Sequence, residues 1–215
     1  MQLFRECPRC FWFDKKGIAK RPQPYPYTLA DTADKLAKRE FDKYRLKGVI
    51  PSVLQSLSGA RLFSDQALLD KWRDNFYGLN WFDEELKAEL FGAIDDCLEF
   101  SSGELGVIDY KTTGAREITI YPDYQLQMDV YTFLLEKMGY QTKRKAYFIF
   151  YLVDKARPAF DGQLLFKEEL REIETSPDIV YPIFREAVEV LRIDKPPTEN
   201  HSCQYCQWRN KQRGV

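Results

Sequence analysis

GAIDDCLEFSSGELGVIDYKTT, residues 92–113, reads as two short β-prone runs joined by a three-residue loop, Ser101-Ser102-Gly103. A loop of that length suits a type I turn closed by glycine in the left-handed region, which pairs Phe100 with Glu104. Counting back from this pair sets Asp95 opposite Asp109, with side chains on one face and about 5 Å apart. A two-residue turn would select Asp96 instead. Side chains alternate along a strand, so Asp109 and Lys111 share that face. On its own, such a carboxylate and ammonium would be a surface ion pair worth under about 1 kcal/mol. Two facing carboxylates are different, because they repel unless a cation lies between them. The set suits a hard divalent cation, Mg²⁺ or Mn²⁺, which takes oxygen ligands, grips a phosphodiester and activates water. Lys111 would then steady the water or the charge that builds up on phosphorus.

Outward from this hairpin the pattern turns helical on both sides. Leu29, Ala33, Leu36, Ala37, Phe41 and Tyr44 recur at helical spacing from Thr28 to about Lys47, with Thr28 as the expected N-cap. RPQPYPY at 21–27 precedes it as an extended connector. A short helix is expected around Asp65 to Phe76. Downstream, Pro122 opens a helix that Gly139 stops, carrying a stripe of Tyr124, Met128, Tyr131, Leu135 and Met138. Gln127 sits within that stripe one turn before Tyr131, so both face one surface. Lys145 to Val153 reads as a buried strand, and a last helix runs from about Pro177 to Arg192. The order is helix, two or three strands, helix, strand, helix, which is an α/β sandwich with a mixed sheet. On the first helix, Asp34 and Glu40 are the acids able to supply a further metal ligand.

A chain of 215 residues, 44% hydrophobic and 15% aromatic, fills a proper core, and no linker or repeat marks a boundary; one domain over 1–215 is the simplest reading. Lys plus Arg (32) nearly balance Asp plus Glu (33), so no global field draws the chain to nucleic acid or membrane. Anion binding must be local, and Lys143, Arg144 and Lys145 form one of several small basic clusters. The longest apolar run, AYFIFYLV at 146–153, is too short to span a bilayer, and no secretory leader is visible, so a cytoplasmic protein is expected.

Two identically spaced pairs, CPRC at 7–10 and CQYC at 203–206, stand near opposite ends of the chain. In a reducing compartment such pairs are metal ligands rather than disulfides, and Cys7, Cys10, Cys203 and Cys206 would tie the two ends together. Phe11, Trp12, Tyr205 and Trp208 are placed to shield that site. Cys97 is left over, as a sheet residue.

In this order the motifs resemble the PD-(D/E)XK nuclease superfamily, and within it the RecB-like branch that includes the CRISPR-associated adaptation exonucleases. GAID at 92–95 looks like the motif with the first catalytic aspartate, VIDYKTT at 107–113 like the (D/E)-x-K strand, and QMDVY at 127–131 like the Q-x-x-x-Y helix motif. The resemblance implies an αβββαβ core and a metal-dependent DNA nuclease, exonuclease rather than endonuclease. It further implies that Asp95 and Asp109 hold Mg²⁺ or Mn²⁺ with the carbonyl of Tyr110, that Lys111 is catalytic, and that Gln127 and Tyr131 orient DNA or the lysine. Relatives often carry a histidine on the first helix; the only one here is His201, so Asp34 takes that place, with Glu40 behind it. Iron-sulfur members join N-terminal to C-terminal cysteines, which implies a [4Fe-4S] cluster. Their usual one-plus-three division is two-plus-two here, and paired C-x-x-C knuckles are also a pattern for Zn²⁺. Single-stranded or frayed DNA is the expected substrate, and a DNA repair or other DNA-processing complex with a partner protein is the expected setting. A binding or scaffold module that kept the fold without the chemistry is the alternative.

Overall fold

The computed structural model describes residues 1–22, 27–156 and 158–213. The connector expected at 21–27 falls mostly on 23–26, outside the described residues. In chain order the elements are α1 (Gln2–Glu6), α2 (Pro8–Lys15), α3 (Thr28–Leu46), β1 (Ala60–Leu62), α4 (Gln66–Trp72), β2 (Leu79–Asp83) and β3 (Ala88–Gly92). They continue with β4 (Asp96–Phe100), β5 (Leu105–Thr113), α5 (Pro122–Lys137), β6 (Thr142–Val153), β7 (Phe166–Glu174), α6 (Val180–Arg192) and α7 (Gln204–Arg213). Among the described residues no helix is long and apolar enough to cross a membrane.

The chain divides into two compact units: one from Met1–Pro26, Asp83–Ala88 and Asp178–Val215, the other from Tyr27–Phe82 and Glu89–Pro177. The larger unit is built on a five-stranded sheet in the order β1-β4-β5-β6-β7. β5 and β6 are parallel and the other pairs antiparallel, so the sheet is mixed. A parallel pair needs a long crossover, and α5 supplies it. The succession α3, β1, β4, β5, α5, β6 is the expected αβββαβ core. α4 and the β2–β3 pair are inserted after its first strand.

The hairpin that decides the reading has the register expected of it. Asp96 pairs with Ile108, Cys97 with Val107, Leu98 with Gly106 and Glu99 with Leu105. Phe100 N–H donates to Glu104 O at 2.9 Å, Gly103 N–H donates to Phe100 O at 2.8 Å, and Gly103 has φ +85°. One face of the sheet carries Leu98, Ile108, Tyr110 and Ile149, packed with Ala37 and Phe41 of α3. The Phe41 and Tyr110 rings meet edge-on at 5.0 Å.

Helix boundaries follow their local signals in most places. Asp65 caps α4 by accepting from Leu68 N–H, Pro122 is the first residue of α5, and Gly139 at φ +93° follows its end. Three expectations are corrected. Thr28 is the first helical residue of α3 and Tyr27 holds the cap position. Leu29 and Leu36 are exposed, because α3 buries only the Ala37, Phe41 and Arg45 side. β7 joins the sheet although FKEELREIE looks like no buried strand; as an edge strand it needs no continuous apolar face.

In the smaller unit, Val180, Ile183, Phe184 and Ala187 fall at helical spacing and form the buried stripe of α6. Trp12 Nε1 donates to Ile193 O at 3.1 Å, and Arg9 pairs with Glu199. These contacts hold the two distant ends of the chain in one unit.

Candidate active site and cysteine site

Asp95 lies one residue before β4, opposite Asp109 on β5. Its Oδ2 accepts from Tyr110 N–H at 3.0 Å, so the backbone of β5 fixes this carboxylate beside Asp109. Arg73 Nε donates to the Asp95 carbonyl at 2.7 Å and holds the main chain from the other side. Asp109 is 3% exposed and its Oδ2 has no hydrogen-bond partner; Lys111 Nζ approaches that oxygen at 2.6 Å as an ion pair, out of hydrogen-bond alignment. Burial, and then the charge of Asp95, push the Asp109 carboxyl up to about 7 against the opposing pull of Lys111.

α5 orients the lysine. Lys111 Nζ donates to Gln127 Oε1 at 3.4 Å and sits 4.7 Å above the Tyr124 ring. Gln127 Nε2 in turn donates to the Tyr131 hydroxyl at 2.8 Å. The Tyr131 ring explains the glycine of GAID, since a Cβ at Gly92 would come within 2.8 Å of it. Glycine here is room for the tyrosine. Midway along α5, Asp129 is buried and accepts from Ser176 N–H at 2.7 Å and Gln125 Nε2 at 3.0 Å, pinning the helix to the turn after β7.

α3 reaches the same place. Lys38 Nζ lies 2.8 Å from Asp95 Oδ1 and 2.8 Å from Asp34 Oδ2, so an ammonium bridges the two carboxylates. Burial, then Asp95, raise the Asp34 carboxyl, and burial lowers Lys38 less than Asp95 and Asp34 raise it. Asp34, Asp95, Asp109, Lys111, Gln127 and Tyr131 are therefore gathered. Glu40 is exposed and its charge is felt by Glu168 and Tyr151 instead. Asp95 and Asp109, close enough for the charge of Asp95 to raise the Asp109 carboxyl, are oxygen donors of the kind a hard cation takes.

Sequence reasoning missed Lys38 and the role of Asp96. Asp96 is fully buried and points to the α3 face, where it bonds Arg45, Arg73 Nη2 at 3.0 Å, and the Tyr110 hydroxyl at 3.0 Å. Asp42 pairs with both arginines. One aspartate of the doublet thus meets Lys38 and the backbone of β5, and its neighbour anchors the sheet. An i,i+4 pair of Asp34 and Lys38 was visible in sequence, but its reach to Asp95 was not. The small basic cluster of Lys143, Arg144 and Lys145 is paired throughout: Lys143 with Glu104, Arg144 with Glu136, Lys145 with Glu172.

The sequence matches the PD-(D/E)XK nuclease superfamily over residues 1–210. The chain belongs to the PD-(D/E)XK nuclease superfamily. No curated protein matches it. Among solved structures, the crystal structure of SSO0001 is similar over 95% of this chain and 80% of that one, with 13% identity and a TM-score of 0.44, a level that carries no further argument. Members of this nuclease superfamily act on nucleic acid with divalent metals.

The second constellation of this PD-(D/E)XK chain is Cys7, Cys10, Cys203 and Cys206. All four are free thiols, and their sulfurs lie within 4.8 Å of one another. They are the one group of three or more Cys, His, Asp or Glu side chains that meets this closeness among the described residues; the three aspartates do not. Arg21 donates to Cys203 Sγ at 3.3 Å, pairs with Glu6 and stacks on the Tyr205 ring at 4.7 Å. Phe11 and Trp12 are buried as expected, whereas Trp208 is 63% exposed. His201 is exposed, and Cys97 is fully buried on β4.

Proposed function

We propose that this chain is a metal-dependent DNA nuclease of the RecB-like branch, similar to the CRISPR-associated adaptation exonucleases, and that it degrades single-stranded or frayed DNA from an end. The observation that carries the reading is the pair of opposed carboxylates, Asp95 and Asp109, with the Lys111 ammonium 2.6 Å from the buried Asp109 oxygen. Asp95, Asp109 and the carbonyl of Tyr110 would hold Mg²⁺ or Mn²⁺, with Asp34 beside them. When bound, the ion neutralises a phosphodiester and acidifies a water molecule.

The chain's own groups do the rest. Lys111 offers its protons to the charge that develops on the phosphoryl oxygens, and Tyr124 and Gln127 keep it aimed there. Tyr131 holds the Gln127 amide, so the glutamine presents its oxygen to the lysine. Lys38 serves as counter-ion to Asp34 and Asp95, which keeps two carboxylates from repelling each other while no divalent ion is present. The cysteines close the two ends of the chain around a bound metal.

The test is cleavage of end-labelled single-stranded DNA, duplex DNA and RNA with Mg²⁺ or Mn²⁺, run beside Lys111→Ala. The wild type should degrade DNA stepwise and the variant should lose at least about a hundredfold in rate while binding DNA as before. Equal rates in both proteins would overturn the assignment of Lys111. Absence of cleavage in a folded, metal-loaded wild type would favour a binding module, a reading to which the Lys38 bridge across Asp34 and Asp95 lends some weight.

A further inference from the structure

The two C-x-x-C pairs enter their helices in the same way. Cys7 stands at the N-cap of α2 and Cys203 just before α7, and Phe11 N–H and Gln207 N–H each donate at 3.0 Å to the carbonyl of the first cysteine of its pair. In each pair the second cysteine, Cys10 or Cys206, lies one turn on, within the helix. Two knuckles of the same shape therefore face each other. Backbone N–H groups of Cys10 and Asn200 point at the Cys7 sulfur. Hydrogen bonds of this kind steady a ligating thiolate.

The spacing of the sulfurs decides what fits between them. Cys7–Cys206 are 3.8 Å apart, Cys10–Cys203 3.7 Å and Cys10–Cys206 3.6 Å. A tetrahedron of thiolates about 2.3 Å from one central ion has edges of about 3.8 Å. An iron-sulfur cubane separates its cysteine sulfurs much further, because each is bonded to a different corner iron. Three of these cysteines are buried and packed on one another, at separations that match a single central ion and not the corners of a cubane. We propose that the four cysteines bind one zinc ion per chain, in tetrahedral tetrathiolate coordination, in place of the [4Fe-4S] cluster that the resemblance implies. Zinc has no redox chemistry, so the site is a structural clasp that cannot respond to oxidants by changing a cluster's charge. The inference concerns this site alone and is independent of whether the carboxylates cut DNA.

The experiment is elemental analysis of the full chain, purified anaerobically from cells grown with added iron, with visible spectra before and after exchange of the metal for Co²⁺. Zinc near one per chain, a colourless protein, and the strong visible bands of tetrahedral tetrathiolate cobalt are expected. Cys10→Ser should weaken or shift those bands, and Cys97→Ala should leave metal content unchanged. Should Cys10→Ser fail to fold, the wild-type metal content and cobalt spectrum still decide. Iron with matching acid-labile sulfide and a brown chromophore would overturn the proposal, as would a single iron per chain or no metal at all.

Discussion

The carboxylate site and the cysteine site solve the problem of clustered ligands in opposite ways. Around Asp95 and Asp109 the chain supplies its own cations: Lys38 bridges Asp34 and Asp95, and Lys111 sits on Asp109. Its geometry is set by a hairpin and by Arg73 on the Asp95 carbonyl, all of which exist without a bound ion. Around the cysteines, Arg21 is the one cationic side chain that contacts a sulfur among the described residues, and the ligands come from segments about 200 positions apart in sequence. Chain entropy opposes bringing those segments together, and an ion binding all four sulfurs offsets it. A site that compensates its own charges would exchange its metal, whereas a site whose ligands are brought together mainly by the ion would keep it.

The largest expected effect tests the second half of that contrast. Stripping the metal with a strong chelator, or changing Cys203 to Ser, should unfold the smaller unit, with a stability loss of up to about 10 kcal/mol if the site behaves like isolated zinc modules. Hydrogen exchange of α2 and α6 compared with β5 and β6 is the measurement. Exchange that stays unchanged in α2 and α6 after chelation would break the comparison.

Next comes Asp96→Ala, which leaves Arg45 and Arg73 with an uncompensated buried charge and should cost about 3–5 kcal/mol in the larger unit. Denaturant unfolding of the metal-loaded protein reads this directly. A variant as stable as the wild type would mean that the hairpin needs no anchor beneath it. The smallest effect is expected from Lys38→Ala. Removing the built-in cation should tighten Mg²⁺ binding by about fivefold, on the order of 1 kcal/mol, as read by calorimetric titration. Weaker Mg²⁺ binding in that variant would show that Lys38 supports the site rather than competing for it.

How much of this was legible depended on the range of each interaction. The Ser101-Ser102-Gly103 turn sets its own register, so Asp95 opposite Asp109 followed from counting, and Pro122 and Gly139 bounded α5 for equally local reasons. β7 stayed hidden because an edge strand of alternating charges carries no apolar signature. Asp96 looked like a register alternative to Asp95, since nothing local links it to Arg45 and Arg73, 51 and 23 residues away.

By itself, the sequence determined the order of the elements, the opposition of two aspartates beside a lysine, the glutamine and tyrosine one helical turn apart, and two cysteine pairs of equal spacing. Each rests on a period, a turn or a spacing that a short stretch of chain imposes on itself. Only the tertiary structure decided that Lys38 bridges Asp34 and Asp95, that Asp96 is an anchor rather than a ligand, that Glu40 faces elsewhere, and how closely the four sulfurs approach. Those outcomes depend on how separate elements pack, and on which charges then find no water and must find each other.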